Sequence, residues 1–371
     1  TARQFSRQAV CHIFGQSDAA QFFNRNGAGF VFGFLQGTAQ QTKSDVLPDG
    51  QAVKQRAALK EHAKVAQKRR PLRRDVCPID QNIAAVGLYQ AKNAGRNRIV
   101  AYDSRLDAAL QRKRHVQASL QAGCKGSGLY LDFQPIFKDG GARIAGFEAL
   151  LRLADDTGAL ISPDEFIPVA EGAGLIDTIG HIALTKAIDA ARHWPQETFV
   201  AVNLSAVQFK AGTLVQTVKS VLDETGFPAS RLELEVTESL LLEDDEHVGR
   251  QISGLKTLGV SMALDDFGTG YSSLGYLWKY QFDKLKVDRV FLEGYEFYAT
   301  KYRDIISAIV MLGHRLGMVV TVEGIEKQDQ SKMLDELGCD MFQGYLLARP
   351  ISPDGIDRLL AQHETTNEKT A

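Results

Sequence analysis

The chain has 371 residues, 44% hydrophobic and 24% charged, an ordinary globular composition with room for one large core or two modest ones. Its formal net charge of -2 hides an asymmetry, because residues 1–80 carry 13 Lys and Arg against 6 Asp and Glu; the two parts are not read as one domain. Four scattered cysteines, Cys11, Cys77, Cys124 and Cys339, without a Cys-x-x-Cys pair exclude a disulfide framework and a zinc knuckle, and are expected to be reduced thiols of a cytoplasmic protein. The longest apolar stretch, at 28–35, is far short of the ~20 residues that cross a bilayer, so no membrane segment is expected, and no secretory signal is visible.

Residues 1–83 show no sustained helical or strand period, and no domain is expected there. The one dense basic run, Lys68-Arg69-Arg70-Pro71-Leu72-Arg73-Arg74, reads as solvated charge rather than a surface for a nucleic-acid polymer. Next, Leu88-Tyr89-Gln90-Ala91-Lys92-Asn93-Ala94-Gly95-Arg96-Asn97-Arg98, followed by Val100-Ala101-Tyr102-Asp103, resembles the closing helix and strand of a GGDEF diguanylate cyclase domain. The Gly-Gly-Asp-Glu-Phe hairpin of such a domain is absent from the sequence, which excludes cyclase activity. It also suggests that 1–83 derive from a rearranged or frame-shifted reading frame. Residues 84–103 are thus expected to be a remnant, and 104–125 a linker helix, because Leu106, Ala109, Leu110, Val116 and Leu120 recur at amphipathic spacing.

From 126 to 364 the pattern becomes short β-rich runs alternating with longer helical ones. Strands are expected at 129–137, 144–151, 199–204, 232–236, 261–264, 284–287, 319–322 and 341–342, with helices at 175–194, 214–225, 245–258, 303–316, 328–337 and 353–362. Eight strands interleaved with helices over this length make an α/β, TIM-like (β/α)8 barrel. Only Asp139-Gly140-Gly141 clearly separates the first two strands, so they are expected to form an antiparallel hairpin. Residues 365–371 are expected to be a disordered tail.

The residues at the strand ends are Glu148, Asn203, Glu235, Asp265, Lys286, Glu323 and Gln343, and in a barrel those ends converge on one mouth. Like charges about 4 Å apart repel by roughly 4 kcal/mol at an effective dielectric of 20. Either raised pKa values or cations must therefore relieve the carboxylates. Glu, Asp and an Asn carbonyl form the all-oxygen shell that Mg2+, Mn2+ or Ca2+ prefers, and the absence of His and Cys argues against zinc. Asp265 and Asp266 are adjacent, so both face the mouth only if strand alternation lapses, as the following Phe267-Gly268-Thr269-Gly270 allows. Singly, Glu323 or Lys286 reads more readily as half of an ion pair and Glu238 as a helix cap or loop anchor, while Tyr271, Phe147 and Tyr345 read equally as packing or base-stacking residues. His181, His193, His247 and His314 lack ligand spacing.

Taken together, Gln134-Pro135-Ile136, Phe147-Glu148-Ala149-Leu150-Leu151-Arg152, Asn203-Leu204-Ser205, Glu235-Val236-Thr237-Glu238, Asp265 through Leu274, Lys286-Val287-Asp288-Arg289, Glu323-Gly324-Ile325-Glu326 and Gln343-Gly344-Tyr345 closely resemble the motifs of the EAL family of cyclic di-GMP phosphodiesterases. The resemblance implies a hydrolase of this bacterial second messenger giving linear pGpG, with two Mg2+ or Mn2+ ions per site and inhibition by Ca2+. It implies Glu148, Asn203, Glu235 and Asp265 on one ion, and Asp265 and Asp266 on the second. Lys286 would orient the attacking water and Glu323 complete the metal–water set. Gln134, Arg152 and Gln343 would position substrate, and Glu238 would anchor the loop 267–273 that links metal binding to a homodimer. Leu153-Ala154-Asp155-Asp156 departs from the family's usual continuation after the arginine, as does the Tyr- and Phe-rich segment 291–302, expected at a dimer interface or against the basic head. The alternative from another class is a catalytically weak cyclic di-GMP receptor or docking module. Limited proteolysis is expected to trim the chain rapidly to about residue 84 or later; a protease-resistant head would contradict this reading.

Overall fold

The computed structural model describes residues 104–238, 240, 246–268, 274–293 and 295–367. The head 1–83, the cyclase-like remnant at 84–103 and residues 269–273 of the expected loop 267–273 therefore lie outside the described residues. Lys113–Ala371 forms one unit, its boundary falling inside the first described helix, α1 (Ser104–Gly123).

This unit is a closed barrel. Its strands are β1 (Leu129–Lys138), β2 (Arg143–Ala154), the two-residue β3 (Leu160–Ile161), β4 (Phe199–Leu204), β5 (Leu232–Thr237), β6 (Ser261–Phe267), β7 (Lys284–Val287), β8 (Val319–Val322) and β9 (Met341–Phe342). The sheet order is β1-β9-β8-β7-β6-β5-β4-β2-β3, and pairing of β1 with β2 closes the ring. β1 is antiparallel to β2 and to β9, whereas β2 and β4 through β9 pair in parallel. The expected hairpin and eight-strand barrel are both present; β3, which pairs antiparallel with the end of β2, was too short to leave a period in the sequence.

The helices are α2 (Pro163–Gly172), α3 (Ile176–Ala191), α4 (Ala206–Ala211), α5 (Leu214–Thr225), α6 (Glu246–Thr257), α7 (Leu274–Tyr280), α8 (Tyr295–Arg315), α9 (Gln328–Glu336) and α10 (Pro353–Asn367). Sequence periodicity missed α2, α4 and α7, the last two being only 6 and 7 residues long. It also started α8 eight residues late, and α10 runs three residues into the expected tail. The residues expected as a dimer or head contact thus include the first turns of α8.

Strand alternation sorts the side chains. Val200, Val202, Leu232, Leu234, Val236, Met262, Leu264, Leu285, Val287, Val320 and Val322 are buried and belong to the large apolar cluster that joins strands to helices. The residues between them face the barrel axis, and these are largely polar: Glu233 and Glu235 on β5, Lys284 and Lys286 on β7, Thr321 on β8, all buried. Pairing register confirms the shared face, with Glu148 beside Ala201, Ala201 beside Glu233, and Asn203 beside Glu235. The outer shell therefore supplies the hydrophobic stabilisation, and the axis is left for charge.

A second apolar cluster packs Val116 and Leu120 of α1 against Leu129, Leu153, Ile161, Phe166, Val169, Ala170, Ile176 and Ile179. His115 Nε2 stands 3.0 Å from Asp155 Oδ2, and Asp155 also accepts hydrogen bonds from Thr157 Oγ1, Thr157 N and Ala159 N. Leu153 and Asp155 lie in the stretch that departs from the family pattern; here they receive the helix. The C-terminal half of α1 is thus part of the barrel unit rather than a free linker. Leu120 is fully buried, so L120A is expected to lower stability by about 2–4 kcal/mol in urea denaturation, and an unchanged midpoint would contradict a docked helix.

Candidate active site

At the C-terminal rim of the parallel strands the ammonium of Lys286 lies among four carboxylates. Its Nζ is 2.7 Å from Glu235 Oε2, 2.6 Å from Glu323 Oε1, 3.3 Å from Asp265 Oδ2 and 3.7 Å from Glu148 Oε2. Glu235 is fully buried, Lys286 1% exposed, and Glu148 and Asp265 under 10% exposed. Four separate strands, β2, β5, β6 and β7, and the residue after β8 deliver these groups, which are brought together although the chain separates them by up to 175 positions.

Two amides complete the arrangement around Glu148. Asn203 Nδ2 donates to its Oε1 at 2.6 Å and Gln343 Nε2 to its Oε2 at 2.7 Å. Burial pushes the Glu148 carboxyl up, but Lys286 and the two amide donors outweigh that, and it lies below the usual carboxylate range. The other carboxylates move the opposite way. Burial, with like charge from Glu148, Asp265 and Glu233, holds Glu235 well above the usual range against the pull of Lys286. Burial pushes Glu323 up to about 8, Lys286 again opposing it. Lys286 is itself raised well above the ordinary lysine value, the surrounding carboxylates overcoming the cost of burial.

Asp266 reaches the mouth by a route that differs from the one expected. The strand does not end at 264 but continues to Phe267, which pairs with Val287 after a register shift: Asp265 and Asp266 on β6 stand opposite Lys286 alone on β7. Asp266 occupies the left-handed region with φ 55°, and its N–H donates to Asp265 Oδ1 at 2.9 Å. A β-bulge, not loss of the strand, lets adjacent carboxylates share one side. Burial and the charge of Asp265, then Asp288, push the Asp266 carboxyl up to about 6. Asp288, a rim carboxylate that the sequence reading left without a role, also caps the turn after β7 by accepting from Val290 N.

Local capping and close packing account for the short motifs around the site. After Asn203 the chain turns at once into α4 because Ser205 and Gln208 form a capping box. Gly344 follows Gln343 where a Cβ would lie 2.2 Å from both Ile325 N and O, so only glycine lets the Gln343 strand end lie against the segment after Glu323. Glu238 is buried, and its Oε2 accepts from Gly268 N at 3.2 Å, as expected of a loop anchor; residues 269–273 of that loop are not described.

Two of the three substrate-positioning candidates, Gln134 and Arg152, occupy one face of the β1–β2 hairpin, and the third, Gln343, follows β9. Gln134 pairs in register with Glu148, and its Nε2 donates to Ala348 O at 3.4 Å. Arg152 lies four residues beyond Glu148 and its Nε donates to Asp132 Oδ2 at 2.8 Å; Asp132 was missed because nothing in its local pattern marks it. Phe147 is a packing residue, fully buried with its ring 4.7 Å from that of Trp194. Tyr345 is half exposed, with the Arg349 guanidinium 4.5 Å above its ring.

The donor set fits divalent ions chemically: it is all oxygen, it is anionic, and Glu235 Oε1 and Gln343 Oε1 are buried without a hydrogen-bond partner. The carboxylates are nevertheless drawn around the lysine ammonium, and among the described residues no three of His, Cys, Asp and Glu are spaced as ligands of one ion. Of the two reliefs the sequence left open, the structure shows the Lys286 ammonium among the carboxylates together with raised carboxyls at Glu235 and Glu323.

A largely parallel barrel with an acidic mouth is an architecture used by hydrolytic and ligand-binding domains alike. Comparison with known proteins narrows it: residues 117–350 match the EAL domain model, and the chain belongs to that family. It is 41% identical over 268 residues to the uncharacterized protein y4lL of Sinorhizobium fredii, covering 72% of this chain and 32% of that protein. It is 37% identical over 272 residues to the bifunctional diguanylate cyclase/cyclic di-GMP phosphodiesterase MucR of Pseudomonas aeruginosa, covering 72% of this chain and 40% of that protein. The solved MucR phosphodiesterase in complex with c-di-GMP superimposes with a TM-score of 0.62 at 37% identity over 65% of this chain and 99% of that one. The chain thus spans about a third to two fifths of the length of these curated relatives. Among the described residues no helix is long and apolar enough to cross a membrane.

In metal-free protein the raised carboxyls hold protons that the unfolded chain releases near its ordinary carboxylate range. The folded state therefore binds more protons between about pH 4.5 and about pH 8, and stability should fall as pH rises through that window, by up to about 1.4 kcal/mol per pH unit for each retained proton. Urea midpoints in chelator at pH 5.5 and pH 8 check this. Mg2+ or Mn2+ should flatten the slope, and a midpoint that rises with pH without metal would contradict it.

Proposed function

We propose that this chain hydrolyses cyclic di-GMP to linear pGpG with the help of two divalent ions, Mg2+ or Mn2+. The observation that carries the proposal is the convergence of Glu148, Glu235, Asp265 and Glu323 on one cation at the barrel mouth, in a chain 37% identical to a solved phosphodiesterase complex. Glu148, Asn203, Glu235 and Asp265 would hold one ion, and Asp265 with Asp266 the second. When bound, the ions supply Lewis acidity toward the phosphodiester and make water more acidic.

This chain's own residues do the rest. Gln343 and Asn203 fix both oxygens of Glu148, so that carboxylate enters the site already oriented. Lys286, once relieved of part of its carboxylate load, directs its N–H bonds at the attacking water and holds it for in-line approach. Glu323 sits 2.6 Å from that ammonium; ionised once divalent charge relieves the crowding of the mouth, its carboxylate would take the proton that the water loses. The water oxygen joins phosphorus, one P–O3′ bond breaks, the 3′ oxygen leaves as a hydroxyl by taking a proton from solvent water, and Glu323 returns its own proton to solvent. Arg152 is held through Nε by Asp132 and donates from Nη1 to Leu151 O at 3.4 Å; its other terminal nitrogen would reach a phosphate oxygen, and Gln134 and Gln343 border the substrate. No protein nucleophile is needed. Homodimerisation through this domain, inhibition by Ca2+ and a cytoplasmic location complete the proposal on the strength of the family resemblance.

The purified chain incubated with cyclic di-GMP and Mg2+ or Mn2+ should yield pGpG. E148A should lower turnover at least about a thousandfold, matching the several kcal/mol of charge stabilisation that a metal-assisted site supplies. Binding of cyclic di-GMP without turnover in either metal would instead establish the receptor reading.

A further inference from the structure

Below the proposed site the barrel axis holds a second charged pair that the proposed chemistry does not use. Lys284 Nζ lies 2.8 Å from Glu233 Oε1 and 2.7 Å from Oε2, so the ammonium spans both oxygens. The same Nζ stands 3.9 Å from the centroid of the Phe199 ring. Both side chains are at most 5% exposed. A buried ion pair is costly to desolvate and is weak evidence for stability by itself, which leaves its place in the fold to be explained.

That place is specific. Glu233 and Glu235 are two apart on β5, and Lys284 and Lys286 two apart on β7, so each strand presents one charge to the mouth and one a single pleat deeper, roughly 7 Å down the strand. Strand β6 runs between them. Its inward residue at this level is Ala263, in register with both Glu235 and Lys284 and fully buried, small enough for both lysines to reach past it. The result is two stacked bonds of the same sense, Lys286 to Glu235 at 2.7 Å above and Lys284 to Glu233 below.

We infer that Glu233 and Lys284 form a positioning pair for the site proposed above: they balance charge on the barrel floor, so that the ammonium of Lys286 stays committed to the carboxylates of the mouth. Without Lys284, the Glu233 carboxylate is a buried anion on the same inner face as Lys286 and draws that ammonium downward, uncovering the upper carboxylates. Without the charge of Glu233, Lys284 becomes an unbalanced cation beneath the ion site. The two losses act on a divalent cation with opposite sign, which no purely packing role would produce.

Titrating the whole chain with Mn2+ in the absence of substrate, read by electron paramagnetic resonance of the free ion, tests this. E233Q, which keeps an acceptor for Lys284, should raise the Mn2+ dissociation constant at least about tenfold. K284Q, which keeps a donor for Glu233, should lower it at least about tenfold, and at saturating Mn2+ should reduce kcat for cyclic di-GMP with little change in KM. The double variant E233Q/K284Q should return both quantities to within about twofold of the parent, since the charges cancel. If K284Q fails to fold in urea denaturation, the sign of the E233Q shift carries the test. Single variants that shift Mn2+ binding in the same direction, or only lower stability, would overturn the inference while the parent's Mn2+ binding and turnover leave the proposed function standing. A parent chain that neither binds Mn2+ nor turns over overturns both.

Discussion

The attraction between one buried ammonium and the carboxylates around it is what the rest of the barrel is organised to permit. Lys286 is within 3.7 Å of four carboxylates on different elements. Unpaired, those carboxylates would repel one another by several kcal/mol. The ring holds its negative charge through the lysine and the amides on Glu148, and burial raises the carboxyls of Glu235 and Glu323 so that they give up their protons less readily. Each can yield to a stronger cation. A site neutral enough to fold yet able to exchange protons for metal suits the metal-assisted hydrolysis proposed for it.

Placing charge on the axis moves the burden of stability outward. The apolar residues of β4 to β8 face the helices, and nearly every one is buried. The inner positions carry Glu, Lys, Thr and Ala. A barrel built this way keeps its core between the layers, and its axis becomes a column of paired charges ending in the site. The docked half of α1 extends the apolar shell over the β2–β3 end of the barrel, the same hairpin that carries Glu148 and Arg152.

Much of this was legible in the sequence because the barrel repeats a simple unit. Strand positions emerged within a few residues, and the strand-end rule selected Glu148, Asn203, Glu235, Asp265, Lys286, Glu323 and Gln343, all of which the structure brings to the mouth. The family motifs added Gln134, Arg152 and Glu238. What escaped did so for physical reasons. The bulge at Asp265 and Asp266 is a backbone event with no composition of its own. Strand β3 and helices α4 and α7 are shorter than the periods that reveal such elements. The contact of Asp132 with Arg152 joins residues 20 apart across a hairpin. Glu233 and Lys284 were within reach: Leu-Glu-Leu-Glu-Val and Lys-Leu-Lys-Val alternate with period two, and alternation places both charges of each strand on one face. Reading only the last charge of each strand concealed the pair beneath.

The central claim is that divalent ions take the place now held by the Lys286 ammonium. Crystals of the chain grown with Mn2+, examined in an anomalous difference map at the manganese edge, address it directly. The account predicts two peaks bounded by Glu148, Asn203, Glu235, Asp265 and Asp266, with the lysine Nζ displaced from the middle of the ring. A map without peaks there, and with the ammonium still bridging Glu235 and Glu323, would contradict it.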